Sequence, residues 1–561
     1  MAVSELISFN GGLSTKTSPH LITRNEGVVC ENVDLEYGTL MPFDSLTYNS
    51  NVNGEHLYIY DDKIIANQNS NDNRMYASYA GRIYWSDKGY TSSGVRKYNG
   101  TDAGISADAP ATISDITKIH IVECTLSDNA GQMTLGGSYL YAFTLTNSEG
   151  IESAPTYALS PVVLNNENKL SIKIYISKTD IATVIPSNHT LNIYRTGGNN
   201  PTFNLIAEGL TSSTMIDGNV VSACGSGNYC YRDTIADINV SRIELYTAEN
   251  TSAISSLDML IENYGTFYGS HNNRVYFSRT GSAEFWNQLD FVTLNGEVAG
   301  LGKFSDTIIA FTKTSAYQIS GYSRDTIQVI QLPFNQGCTN KHSVVNIDAY
   351  LVWASMNGIC LWNGSEVQVI TKKTLSWDEF GRLGNTVYGD YDGTYTSWAS
   401  GLGFDIQYAV GYQDKYYGVF NNGIMILDMA NGLRVSTLNT PNVKSVAINK
   451  EDNIVYVCID KLDGTYDVYS MTNTSSKMEA TWKTGRIYDS SINVRKHYRQ
   501  VELDGLPISV KVFIDGVYKY TAYNKSKFML PSGLVGRDIQ FEIKTINEIR
   551  GLKYQFSELK P

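Results

Sequence analysis

Cysteine is scarce and scattered. Seven residues occur in 561, an odd number, at positions 30, 124, 224, 230, 338, 360 and 458, with no Cys-x-x-Cys pair among them. Zinc sites need thiolates or imidazoles at short fixed spacing, so no zinc site is expected. Cys224 and Cys230 are close enough to bond, but free thiols in a reducing cytoplasm are the expected state. The seven histidines form no His-Glu-x-x-His pair, and each is expected to be an ordinary surface or hydrogen-bonded residue. There is no phosphate-binding loop, no Gly-x-Gly-x-x-Gly after a strand, and no calcium loop; the polar run from Asn69 to Asp72 lacks the glycine and glutamate that such a loop needs. No cofactor is therefore expected. No run of 18 apolar residues occurs, and the opening MAVSELISFNGG has no basic stretch before an apolar core. Neither a membrane-spanning helix nor a secretory leader is expected. An excess of positive charge is missing too: 44 Lys and Arg against 56 Asp and Glu give −12. Free duplex-DNA binding draws on phosphate neutralisation and is not expected of such a chain. An acidic wall past which DNA slides without sticking is compatible with it.

What is present points to strands. Tyrosine numbers 39 and glycine 47, and 42% of residues are hydrophobic, enough for sizeable cores. Short β-branched and aromatic runs separated by turn residues recur throughout, and helical periodicity is sparse. An all-β chain of about three to four domains follows from that pattern and the length. From position 250 to 475 strand cores repeat, among them Val275-Tyr276-Phe277, Leu351-Val352-Trp353 and Ile454-Val455-Tyr456-Val457. Turn-then-strand partners follow them, as in Asn357-Gly358-Ile359-Cys360-Leu361-Trp362. One unit per about 40 residues is the repeat of a β-propeller. Residues 372–408 break the period and read as an insertion or long loop, in which Leu375-Ser376-Trp377-Asp378-Glu379-Phe380 suits a short helix.

The repeat starts earlier. Arg82-Ile83-Tyr84-Trp85-Ser86 echoes Arg274-Val275-Tyr276-Phe277-Ser278, and the VRKYNG of 95–100 echoes the CLWNG of 360–364. Between these halves the character changes. The Tyr-x-Phe-Thr-x-Thr-Asn run from Tyr141, the Glu152-Ser153-Ala154-Pro155 that follows, and Asn192-Ile193-Tyr194-Arg195-Thr196 are similar to a fibronectin type III or immunoglobulin-like sandwich. The expected division is 1–50 an N-terminal β segment, 51–114 the first part of a propeller, 115–240 an inserted sandwich, 241–480 the main part of the propeller, and 481–561 a C-terminal β-domain. Residues 274–322, which hold the Phe285-Trp286 pair, are expected to be the first blade after the insert.

Three features together resemble the tail nozzle or tail-hub family of short-tailed bacteriophages, also called packaged-DNA stabilisation proteins. They are the opening Gly11-Gly12-Leu13 with its later Asn32-Val33-Asp34-Leu35 and Gly38-Thr39-Leu40, the stretch 274–322, and a closing Trp482-Lys483-Thr484-Gly485 … Val510-Lys511-Val512-Phe513-Ile514-Asp515-Gly516. The match covers about two-thirds of the chain in pattern. The resemblance implies a structural virion protein and no enzyme. It implies a homo-oligomer, a hexameric ring whose channel retains and then conducts genomic DNA without sequence specificity. It further implies contacts with portal, adaptor and tail-fibre proteins, assembly in the host cytoplasm and residence in the virion tail.

Propellers also carry carbohydrate chemistry, so a carbohydrate-binding or carbohydrate-cleaving propeller is the alternative. Glycosidases need two facing carboxylates. Asp290, Asp306, Asp378, Glu379, Asp390 and Asp392 are available, and solvated loops are the plainer reading of each. A cell-surface adhesin fits less well without a leader. The basic cluster offers Arg495, Lys496 and Arg499 as contacts to DNA or an acidic partner; a charged edge strand that discourages stray pairing is the favoured reading. Trp286, Trp353, Trp362 and Trp482 are expected as buried anchors rather than sugar platforms.

Overall fold

The computed structural model describes residues 2–6, 8–15, 21–66, 74–88, 94–101, 104–124, 131–375, 406–420, 423–430, 432–472, 474–489 and 493–559. The chain is all-β, and its described residues centre on a β-propeller with seven blades. Seven inner strands pack side by side in a ring: Leu57–Tyr60, Tyr76–Tyr79, Met259–Asn263, Gly300–Phe304, Val345–Ile347, Tyr408–Tyr412 and Val443–Asn449. The first and second of these meet through Tyr58, stacked on Tyr76 at 4.9 Å. Blades are numbered 1 to 7 in that order. Blades 2 to 6 are antiparallel sheets in which four consecutive strands pair, and blade 1 has two described strands.

The sequence of blade 3 explains the pattern. Its first turn places Tyr264 at φ +49° and Gly265 at φ +79°, the left-handed pair that a two-residue hairpin demands. Along Arg274–Ser278 successive side chains face opposite ways. Val275 and Phe277 pack toward Ile308 and Tyr317 of blade 4, and Tyr276 toward Ala77 and Tyr84 of blade 2. Both faces are buried, so the strand reads as one apolar run rather than an alternation. Trp286 is 2% exposed in the core shared with blade 2.

Blade 7 closes the ring. Three of its strands come from 443–471, and its outer strand is Thr47–Val52 from the start of the chain, paired antiparallel with Tyr466–Met471. Residues 1–50 therefore form no unit of their own. Ala2–Leu6 pairs with Leu552–Glu558, and Glu26–Glu31 pairs with Ala480–Thr484. Glu26–Glu31 also meets the outer strand of blade 6 in parallel, at Glu31 and Thr437. One ten-stranded sheet thus runs from the inner strand of blade 6 to Val517–Tyr523 at the far edge of the C-terminal domain. A second sheet, Ala2–Leu6, Leu552–Glu558, Lys496–Leu503 and Lys527–Met529, packs on it around Trp482, Tyr498, Phe541 and Tyr554.

Between blades 2 and 3 stands a separate two-sheet sandwich. One sheet contains Ile119–Cys124, Ser171–Ser177, Asn228–Asp233 and Ile216–Asp217; the other is built on Ser138–Asn147, His189–Gly197 and Asn200–Leu210. Ile172, Ile174 and Ile176 face Tyr141, Phe143, Leu145, Leu191 and Ile193, a core distinct from the propeller's. At its end Arg195, 1% exposed, pairs with Asp233 at 2.7 Å and Asp237 at 3.1 Å. Tyr141 and Tyr139 donate to the same two carboxylates.

Three expectations change. Cys224 and Cys230 are bonded, not free: the turn Ser222–Cys224 folds back beside the strand Asn228–Asp233 and brings their Cα atoms to 5.8 Å. Residues 274–322 are not one blade but the last two strands of blade 3 and the first three of blade 4. Arg82–Ser86 is a second strand and Arg274–Ser278 a third, so that echo is out of step by one strand, whereas 95–97 and 358–362 are both third strands. Residues 376–405, which hold most of the predicted insertion and short helix, lie outside the described residues.

The buried ion cluster gives a clear test. Arg195→Met leaves Asp233 and Asp237 buried without their cation and should cost about 3–5 kcal/mol. Denaturant unfolding followed through the insert should show a lower midpoint; an unchanged midpoint would show the cluster to be dispensable.

Candidate functional site

The axis of the propeller is filled where its inner strands begin. His56 precedes the inner strand of blade 1, Lys341 and His342 precede that of blade 5, and Tyr408 opens that of blade 6. Their rings stack: His342 lies 4.8 Å from Tyr408 and 5.7 Å from His56. Blades 1 and 5 are not neighbours, so these side chains meet across the axis. Lys341 Nζ reaches across as well, donating to the Asp258 carbonyl at 2.7 Å and its carboxylate at 3.0 Å, just before the inner strand of blade 3. Burial, with Lys341 and His56 beside it, pushes His342 well below the usual imidazole range, so the stack is built on a neutral ring.

On the other face, where the first hairpin turns lie, the insert and blades 2 and 3 enclose a cleft of about 860 Å³. Its walls include Tyr79 and Arg82 from blade 2, Glu152 and Asn192 from the insert, and Arg279 and Glu284 from blade 3. Charges fasten the insert here. Lys97 Nζ is 2.6 Å from Glu149 and Arg82 is 3.2 Å from it. The hydrogen bond from Lys97 is the main reason that Glu149 sits below the usual carboxylate range. Glu284, nearly buried, accepts from Tyr84 at 3.3 Å and Ser282 at 3.0 Å. Glu152 accepts from Thr144, from Asn192 at 3.0 Å and from Tyr194 at 2.8 Å. Arg279 donates to the Tyr246 carbonyl at 2.8 Å and to Asn250 at 3.1 Å. Glu152 and Glu284 are thus anchors already engaged by donors. Acid–base work by Glu284, whose two oxygens both accept, would first require displacing a partner.

The three basic candidates do not form a common surface. Successive residues of a strand face opposite ways, and Lys496 points inward, 0% exposed, with Nζ donating to the carbonyls of Val494 at 3.2 Å and Arg537 at 3.0 Å. Lys496 is a structural residue closed to DNA or a partner. Arg495 is exposed and Arg499 half-buried. Asp290, on the outer strand of blade 3, and Asp306, in the first turn of blade 4, belong to different sheets; Asp378, Glu379, Asp390 and Asp392 lie outside the described residues. Trp286, Trp353, Trp362 and Trp482 are buried anchors. Among the described residues, no three His, Cys, Asp or Glu side chains are grouped to hold a metal, and no helix is long and apolar enough to cross a membrane.

The axial stack and the Arg82–Lys97–Glu149 clasp had no sequence signal. Their members are separated by tens to hundreds of positions and meet only once blades close and the insert docks.

No family model and no curated protein matches this chain. Among solved structures it is similar to PorZ, a bacterial surface component of the type-IX secretion system of Porphyromonas gingivalis, at 9% identity, TM-score 0.27, over 86% of this chain and 46% of that one. It is also similar to Kluyveromyces lactis Hsv2 at 10% identity, TM-score 0.25, over 51% and 71% of the two chains. The Neurospora crassa Pan2 WD40 domain matches at 8% identity, TM-score 0.22, over 55% and 88%. The propeller is defined by its own ring of sheets.

The axial histidine makes stability depend on pH. The folded chain holds His342 neutral below its ordinary value of 6.5, so the unfolded chain binds the extra proton first. Stability should fall as pH drops below about 6.5. His342→Phe keeps a ring in the stack and removes the titration. The difference between its denaturant midpoints at pH 7.5 and pH 5 should be smaller than in the unaltered chain; equal differences would refute this account.

Proposed function

We propose that this chain is a structural subunit of a virion, the tail nozzle or hub of a short-tailed phage. Copies form a ring, six in the reading carried by the sequence resemblance, whose channel retains and then conducts genomic DNA. The observation that carries this reading is the filled propeller axis. His56, His342, Tyr408 and the Lys341–Asp258 pair meet across it, which supports a reading in which the conduit for DNA lies between copies rather than through one chain. A net charge of −12 per copy suits a wall that DNA passes without adhering. The donors already bound to Glu152 and Glu284 suit a structural role for these two carboxylates. In this reading the insert is an immunoglobulin-like peripheral domain that contacts fibres, neighbouring subunits or the cell surface.

Native mass spectrometry with negative-stain imaging of the purified chain tests the reading. A closed ring of subunits with a central opening is expected. A chain that stays monomeric at micromolar concentration and binds or cleaves oligosaccharides would overturn it in favour of a carbohydrate-acting propeller.

A further inference from the structure

Charge is segregated along the chain. Residues 480–561 carry fourteen Lys and Arg against eight Asp and Glu, a net of +6, and the preceding 479 residues carry −18. Three of these lysines stand at a sheet edge. Val517–Tyr523 is the last strand of the ten-stranded sheet, so one side of its backbone has no neighbouring strand among the described residues. With Lys527–Met529 it exposes Tyr518 at 52%, Tyr523 at 67% and Met529 at 64%. Lys519, Lys525 and Lys527 stand exposed among them. Lys527 pairs with Glu502 at 3.0 Å; Lys519 and Lys525 have no ion-pair partner among the described residues. Lysine alone would be an ordinary guard against edge pairing. Two exposed tyrosines and a methionine around it are instead the composition of an interface.

The opposite charge is displayed on the propeller. The turns between the first and second strands of its blades all lie on one face. They carry Asp61 and Asp62 in blade 1, Asp306 in blade 4, Asp348 in blade 5, Asp414 in blade 6, and Glu451 and Asp452 in blade 7, against Lys450 in the blade 7 turn and Lys63, which pairs with Asp61 at 3.6 Å. The insert stands over the same face at blades 2 and 3. Among the described residues Asp61, Asp306, Asp348, Glu451 and Asp452 are exposed and Asp414 is half-buried. Asp348 and Asp414 are close enough to hydrogen-bond to each other, which raises Asp414 above the usual carboxylate range. Negative charge accumulates here.

We propose that the basic, tyrosine-bearing edge of the C-terminal sandwich docks on the acidic turn face of the propeller of a second copy of this chain. The proposal rests on the ring-subunit reading above and names its interface. The contact joins two different patches, so it is heterologous, propagates head to tail, and closes into a ring where the rotation permits. A DNA backbone would also attract the lysines. The open strand edge and the apolar side chains fit a protein surface better, and the −12 of the whole chain opposes DNA.

Two charge reversals on the full chain test it: Lys519→Glu with Lys525→Glu at the edge, and Asp306→Lys with Glu451→Lys on the turn face. All four side chains are exposed, so folding should be unchanged by circular dichroism and melting. By sedimentation velocity at low salt, each double variant should assemble at least tenfold more weakly than the unaltered chain. An equimolar mixture of the two should regain assembly, because each altered patch then meets its complement. A chain that is monomeric at every concentration would overturn the ring reading and this interface with it. Assembly that survives both reversals would overturn the interface alone. Normal assembly in the lysine variant, with loss of duplex-DNA binding by fluorescence anisotropy, would also overturn it and assign the edge to nucleic acid.

Discussion

A ring of sheets has two ends that must be joined, and here the first fifty residues make the joint. Thr47–Val52 supplies the outer strand of blade 7, next to strands drawn from more than four hundred positions later. Loop-closure entropy grows only slowly with length, so the distance is not the obstacle; the reward arrives only once every intervening blade is in place. The same segment then does a second job. Glu26–Glu31 lies between the outer strand of blade 6 and Ala480–Thr484, and Ala2–Leu6 covers the edge of Leu552–Glu558. Without it the last blade, the seam with blade 6 and the C-terminal sandwich would each present an open edge. These contacts make the fold cooperative between its most distant parts.

Burial follows from that closure. Each blade between two neighbours is covered on both faces, so aromatic and β-branched side chains fill both sides of the same strand. Trp353 of blade 5 packs on Phe311 of blade 4 at 4.7 Å, and Phe304 of blade 4 on Trp362 of blade 5 at 4.5 Å. At the axis seven strands converge and polar entry loops must fit into a small volume. Stacked neutral rings and a cross-axis lysine–aspartate pair satisfy that constraint, and they close the axis as a consequence.

Much of this architecture was legible because strand periodicity is local. The runs around Val275, Ile308, Val352 and Ile454 are each the centre of a strand, and the Asn-Gly and Asp-Gly turns mark where they reverse. The change of texture after position 115 marked the insert. What could not be read was anything that depends on which strand of a blade a run becomes. Arg82–Ser86 and Arg274–Ser278 share a wording because both are buried on two faces, and that property does not distinguish a second strand from a third. The pairing of the N-terminal strands was hidden for the same reason: Thr47–Val52 is polar and mostly exposed, and its partner lies in another part of the sequence. Lys496 misled because a run of basic residues looks like a surface, while strand alternation turns every other side chain inward.

The three bodies of the chain are joined by different physics. The C-terminal sandwich continues blade 6 through an unbroken run of main-chain hydrogen bonds, and its core is merged with that of the blade: Trp482, Phe541, Val435 and Tyr416 belong to one buried cluster. Its orientation is therefore fixed by the fold. The insert has a core of its own and meets the propeller through Lys97, Arg82 and Glu149 and a few polar contacts, which salt screens and which contribute little individually. A basic edge on the rigid body and an acidic face on the propeller stand in a fixed relation, which is what a repeating head-to-tail contact needs. The insert is held beside that face by charged contacts together with the main-chain hydrogen bonds of Leu205 to Ile243 and of Leu245 to Phe203, each 2.8 Å.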